Sequence, residues 1–166
     1  MAEVKFFADD MVGRLAWWLR MIGYDTRYER QIEDDDLAAI AKDESRIVLT
    51  RDTTFADRYP GIAVCFLPTD RPEVQLWLTV RQFGLDMEYA PFSRCLACNE
   101  ELVSVPKHAH RNKIPPHVFK TLDEFWYCKT CDQVFWHGSH HKNMQDKLQW
   151  LRRNLQRMDR EQGARS

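Results

Sequence analysis

Two hydrophobic periods alternate along the first ninety residues. Residues 4–8 (VKFFA) form a short apolar and aromatic run that predicts a buried strand. Residues 11–22 (MVGRLAWWLRMI) switch to helical spacing, with Val12, Leu15, Ala16, Leu19 and Ile22 on one face. Gly23 ends that helix, and residues 24–28 (YDTRY) predict a weaker second strand. Residues 34–43 (DDDLAAIAKD) predict a helix whose acidic first turn suits the helix dipole. Strands are predicted next at 46–50 (RIVLT) and 62–67 (IAVCFL), and a helix over 72–84 opens at Pro72 and stops near Gly84. Strands alternating with helices imply right-handed crossovers and a mostly parallel sheet, hence an α/β fold. Trp17 and Trp18 are adjacent on the first helix, so at most one fits fully in the core and the other marks a contact with the cysteine-rich part of the chain.

Near Pro91 this alternation gives way to cysteine pairs, turns and an aromatic run. The break predicts a unit over 1–90, a cysteine-rich unit over 91–141, and a helical tail over 142–166. Met144, Leu148, Leu151, Leu155 and Met158 in the tail keep helical spacing, which predicts a core or docking stripe.

Composition narrows the class. The chain has 166 residues, 44% apolar and 12% aromatic, as a globular protein does. No run approaches the ~20 apolar residues of a membrane helix, and acids interrupt the N-terminus MAEVKFFADD where a signal peptide would be apolar. The expectation is a soluble, cytoplasmic protein without a membrane partner. Five cysteines in a reducing compartment read as metal ligands plus one remainder. Cys95 and Cys98 form one pair and Cys128 and Cys131 another, each at two-residue spacing. Two such knuckles complete a closed tetrahedral site, predicting one structural zinc per chain and no chemistry there. Cys65 sits in an apolar strand and reads as a small buried hydrophobe.

The near-zero net charge conceals a polarity. Residues 1–90 hold 11 Lys and Arg against 17 Asp and Glu, or −6; residues 91–166 hold 13 against 8, or +5, with all six histidines. The 29 residues between the knuckles contain KHAHRNKIPPH, which supplies Lys107, Arg111 and Lys113. That insertion is either a solvated loop or a surface for a polyanion.

Acids recur where strands end or helices begin: Asp9-Asp10, Asp34-Asp35-Asp36 and Asp52. Singly, each reads as a helix or turn cap. Together they read differently, because the carboxyl ends of parallel strands share one edge where ligands bind. Asp9 and Asp52 should converge there, and clustered carboxylates repel unless a cation joins them. Oxygen ligands without His or Cys suit Mg²⁺ or Mn²⁺. The same repulsion predicts that Asp52→Asn stabilises the protein. Arg14 and Arg51 flank these acids, as phosphate ligands or as counter-charges.

Paired acids after a first strand and an Asp after the third also occur in receiver domains, which would make Asp52 a phosphoacceptor. No Lys follows a convincing fifth strand, however, and a receiver has no use for a zinc ribbon. A second pattern covers nearly the whole chain. FFADDMVGRLAWWLRMIGYDT, DDDLAAIAKDESRIVLTRD, CLACNEEL and YCKTCDQVFWHGSHHKNM resemble, in order, the mutator-seven C-terminal RNase-domain family. The resemblance implies a PIN-like three-layer α/β domain, a zinc ribbon and a metal-dependent ribonuclease acting on RNA. It implies catalytic acids at Asp9, Asp52 and one of Asp34–Asp36, with Asp34 favoured and Asp36 next. Asp10 falls where the family leaves the residue free. Trp136, Gly138, Ser139 and His140 also match, in a role read here as shaping the second knuckle. The rival expectation is a non-catalytic RNA- or protein-binding adaptor on the same fold.

Overall fold

The computed structural model describes residues 3–165. Four parallel strands, β1 (Phe6–Ala8), β2 (Thr26–Tyr28), β3 (Ile47–Thr50) and β4 (Val64–Phe66), form a sheet in the order β2-β1-β3-β4. The connections are α1 (Gly13–Met21), entered through a 3-10 turn at Asp10–Val12, then α2 (Asp34–Asp43) and the short α3 (Phe55–Arg58). α4 (Pro72–Phe83) follows β4.

Alternation along each strand builds the three layers. Phe6 and Ala8 of β1 and Leu49 of β3 face a core made with Leu15, Trp18 and Leu19 of α1 and Leu76 of α4. Phe7 and Val48 face the other side, against Leu37, Ala38 and Ala41 of α2 and Phe55 of α3. Strands buried on both faces are apolar throughout, so they read as continuous runs.

A second, antiparallel sheet orders β5 (Val103–Val105), β6 (Phe125–Cys128) and β7 (Gln133–Phe135) as β5-β6-β7. α5 (Pro116–Thr121) packs on it, and Ile114, Val118, Phe125 and Val134 make its small core. The insertion residues Lys107–Lys113 form 3-10 turns kinked at His110 rather than an open loop.

The long α6 (Ser139–Arg165) begins three residues earlier than its apolar stripe suggests. Its buried Leu148, Leu151 and Leu155 belong to the core of α1 and α4, so this helix closes the first sheet's outer layer. Trp77 donates to Asp159 at 2.8 Å, and Arg152 donates to Met87 O at 3.0 Å.

The first knuckle is hydrogen-bonded to the end of α1 and to β2. Arg20 is buried in α1 and donates to Thr26 O at 2.8 Å, Leu96 O at 2.9 Å and Ala97 O at 3.2 Å. Asn99 accepts from the Thr26 amide at 2.9 Å and donates to Asp25 at 2.7 Å. Arg94 donates to Gly23 O at 3.1 Å. Gly23 itself has φ +102°, and a Cβ there would lie 2.5 Å from Ala90 O. Only glycine lets the chain cross that closely in that conformation.

Candidate active site and metal centre

Two positions of the molecule gather chemistry. The first is the knuckle pair. The four Sγ atoms of Cys95, Cys98, Cys128 and Cys131 lie within 4.8 Å of one another. Cys95 and Cys131 are 3.9 Å apart, and Cys98 and Cys128 are 3.4 Å apart. Tetrahedral thiolates around zinc, each with a bond of ~2.3 Å, are separated by about 3.8 Å, so the thiols stand at ligand spacing. Asn99 and Asp132, each one residue past a pair, take positive φ of 77° and 51° and fold the knuckles back. The Cys131 amide donates to Cys128 Sγ at 3.4 Å. Burial pushes the Cys98 thiol well above its ordinary pKa, so a thiolate there requires a cation. The cluster suits a metal ion such as zinc. Cys65 lies apart, buried, with its thiol pushed up to about 11 by burial.

The second is the carboxyl edge of the parallel sheet. β1 pairs with β3, Ala8 opposite Leu49, so Asp9 and Thr50 emerge side by side. The Asp9 amide donates to Leu49 O at 3.0 Å. One Asp9 carboxylate oxygen accepts from the Met11 amide at 2.9 Å and caps the 3-10 turn; the other accepts from the Thr50 hydroxyl. Thr50 Oγ1 in turn accepts from the Asp52 amide at 3.0 Å. Asp52 Oδ1 accepts from the Thr54 amide and hydroxyl, both at 2.8 Å. Arg58 Nη2 donates to Asp52 and also to Asp34, the latter at 2.9 Å. Asp9, Thr50, Asp52, Arg58 and Asp34 are thus one connected network. Thr50 and Arg58 escaped sequence reading: Thr50 closes an apolar run, and α3 has four residues, too few to show a helical period.

The two strand-end acids have opposite electrostatics. Burial raises the Asp9 carboxyl, helped by the charges of Asp34 and Asp10, and the Thr50 and Met11 donors recover only part of that. Asp52 is held below the carboxylate range by the Thr54 amide and hydroxyl and by Arg58. Repulsion therefore does not govern Asp52. Its charge is stabilised by donors, and the expectation that Asp52→Asn stabilises the fold is overturned.

The remaining candidates are placed less centrally. Asp35 accepts from Tyr59 at 2.5 Å, and Asp36 is exposed with no side-chain bond among the described residues. Arg14 is exposed in the first turn of α1. Arg51 is half-buried, with a buried Nε that has no partner. Lys107 is spent on structure, donating to Phe119 O at 2.8 Å, Leu122 O at 3.3 Å and Asp123 at 3.1 Å. Lys113 pairs with Asp132 at 2.8 Å, and Arg111 lies over the Phe119 ring at 4.6 Å. Among the described residues, the acids do not close to the ligand spacing that the four thiols reach.

This arrangement, acids at the carboxyl edge of a parallel sheet followed by a four-thiol ribbon, has a counterpart among known families. The Mut7-C RNAse domain matches residues 4–148. The chain belongs to the Mut7-C RNAse domain family. No curated protein and no solved structure matches it. The Mut7-C match spans both sheets and the first third of α6, so acids and thiols lie inside one family unit. Membership suggests a nuclease-type protein with RNA as its substrate class. No helix among the described residues is long and apolar enough to cross a membrane.

Proposed function

We propose that this chain is a divalent-metal-dependent ribonuclease that hydrolyses RNA phosphodiester bonds, with residues 1–90 as the PIN-like nuclease unit. Residues 91–141 are its ribbon, holding one structural zinc through Cys95, Cys98, Cys128 and Cys131, and the tail that follows completes the core as a helix to Arg165. The observation that carries the reading is the network joining Asp9, Asp52 and Asp34 at the sheet's carboxyl edge in a member of an RNase-domain family. Asp9, Asp34 and Asp52 would hold Mg²⁺ or Mn²⁺, which lowers the pKa of bound water and offsets charge on the scissile phosphate. Thr50 fixes the Asp9 carboxylate, and Thr54 fixes Asp52, so both acids are oriented before substrate arrives. Arg14 and Arg51 flank the edge as phosphate donors. Free thiols and an RNA substrate suit a cytoplasmic setting.

One observation favours a second reading. Arg58 already supplies a positive charge that Asp34 and Asp52 share, so these two acids have a cation without a metal. That is the arrangement expected of an RNA- or protein-binding adaptor that no longer turns over. A receiver is not supported: the parallel sheet of the described residues stops at four strands.

Cleavage of a labelled single-stranded RNA, with Mg²⁺ or Mn²⁺ and with neither, separates the two. A nuclease requires the ion, and Asp9→Asn or Asp52→Asn lowers the rate at least about a hundredfold, since even outer-sphere partners of metal ligands are worth 10- to 100-fold. Full activity in both Asp9→Asn and Asp52→Asn, with contaminating nuclease excluded, refutes the assigned site. Binding without cleavage under any divalent ion establishes the adaptor.

A further inference from the structure

Between the ribbon and the start of α6 lies a groove of about 790 Å³, bordered by the ribbon's small core at Val118 and Val134 and by Cys95 of the thiol cluster. Its volume falls in the range of ligand sites. The groove is walled by β6 and β7, α5, the first knuckle, the first turn of α6 and Trp17 of α1. Along it runs a ladder of rings. Trp126 stacks on His137 with centroids 4.4 Å apart and planes inclined by 19°. His137 stacks on His141 at 3.8 Å and 14°, and Phe92 meets His141 edge-on at 4.6 Å. His137 is thus covered on both faces, while Trp126 ends the ladder with one face stacked on no described ring, and a base has the flat apolar face to meet it.

Three further observations point to a ligand rather than to packing. Trp126 and His137 belong to none of the three apolar clusters of the described residues, so the fold does not use them as core. His141 is 8% exposed, lines the groove, and carries a buried Nε2 without a hydrogen-bond partner. Buried polar atoms of that kind are rare and call for an explanation. Burial, then the neighbouring His137 and His140, hold the His141 pKa below its ordinary value. The ring is therefore neutral at pH 7 and offers one donor and one acceptor. No carboxylate lines the groove among the described residues, while His117 and His140 stand at its rim. An anionic strand meets no carboxylate here, unlike at the acidic sheet edge.

We propose that this groove binds an unpaired base of a single-stranded polynucleotide, stacked on the outer face of Trp126, which His137 and His141 back from the other side, with His141 Nε2 as a polar contact. The site is separate from the acidic edge and stands whether or not that edge cleaves RNA. α1 connects the two, with Arg14 near the acids and Trp17 in the groove wall.

The test uses the full-length protein with a fluorescent oligo(U) and oligo(A), single-stranded and in duplex form. Base–aromatic stacking predicts that Trp126→Ala weakens single-strand binding roughly 5- to 150-fold, while Trp126→Phe, which keeps a π face, retains most of it. The slope of log affinity against log salt stays the same, because no phosphate contact is lost. Imidazole and indole NMR signals of the wild type provide a readout independent of any variant's folding. Oligonucleotide should shift the ring signals of Trp126, His137 and His141, and duplex should not. Unmoved ring signals, or wild-type affinity in Trp126→Ala, overturn the proposal. Rings that ignore the oligonucleotide and respond to an aromatic peptide would reassign the groove to protein docking and overturn it equally.

Discussion

The carboxylate of Asp9 is 9% exposed and retains its charge only against burial and the nearby charges of Asp34 and Asp10. Its folded pKa is raised, so the stability it lends is present in full below the ordinary carboxyl value and is lost as pH rises through the folded one. At pH 7 the ionised group is a cost. Asp9→Asn should therefore raise the urea midpoint at pH 7 without added Mg²⁺ or Mn²⁺, and the gain should vanish near pH 3. An equal gain at both values would mean that charge is not the cause. The same substitution removes a proposed metal ligand, so stability and cleavage should move in opposite directions. Asp52, fixed by Thr54 and Arg58, should gain nothing from neutralisation. Arg58 is the residue on which the two functional readings divide. In a nuclease Arg58→Ala frees the acids and tightens Mn²⁺ binding, measured by titration calorimetry. Mn²⁺ binding that stays absent in Arg58→Ala would favour the adaptor.

At the scale of elements, periodicity was a good guide wherever both sides of a segment face protein or one side faces water. α2 spans Asp34–Asp43 as its pattern predicts, and α4 ends one residue short of the forecast, at Phe83 before Gly84. The ribbon was harder to read. β5 and β7 have three residues each, and strands that short leave no period to detect. The insertion looked like free charge because Lys107 and Lys113 gain carbonyl and carboxylate partners only through tertiary folding. α6 was visible as a stripe, though nothing in the stripe said which surface it would cover. Its position implies a measurable load. Leu151 is 0% exposed within the principal core, so Leu151→Ala should cost about 2–5 kcal/mol in denaturant unfolding. A cost under about 0.5 kcal/mol, the ordinary surface value, would show that α6 is not core.

Across the whole molecule, the joint between the two sheets adds to the packing of Phe92 and Leu96 a set of polar contacts from buried or half-buried groups, and these tie the four-thiol cluster to the parallel sheet. Arg20, Asp25 and Arg94 spend their hydrogen bonds on the knuckle or its return. Losing the knuckle would leave the buried Arg20 guanidinium short of acceptors, which is expensive in a dry interior. Cys98→Ser, or removal of metal by a strong chelator, should therefore release one zinc and unfold the ribbon. It should also speed amide exchange at the end of α1 and in β2. Unchanged exchange over residues 19–28 in metal-free protein would show the joint to be dispensable. The same joint bears on how the chain matures during synthesis. Arg20 emerges early, its carbonyl acceptors at Leu96 and Ala97 arrive some 75 residues later, and Leu151 must arrive to cover the outer face of α1. At roughly 5–20 residues per second, the interval between Arg20 and Leu151 lasts about 7–26 s. A nascent chain stalled before residue 148 thus carries a layer of α1 and α4 whose outer face is uncovered, the kind of surface that chaperones hold until translation delivers the last helix.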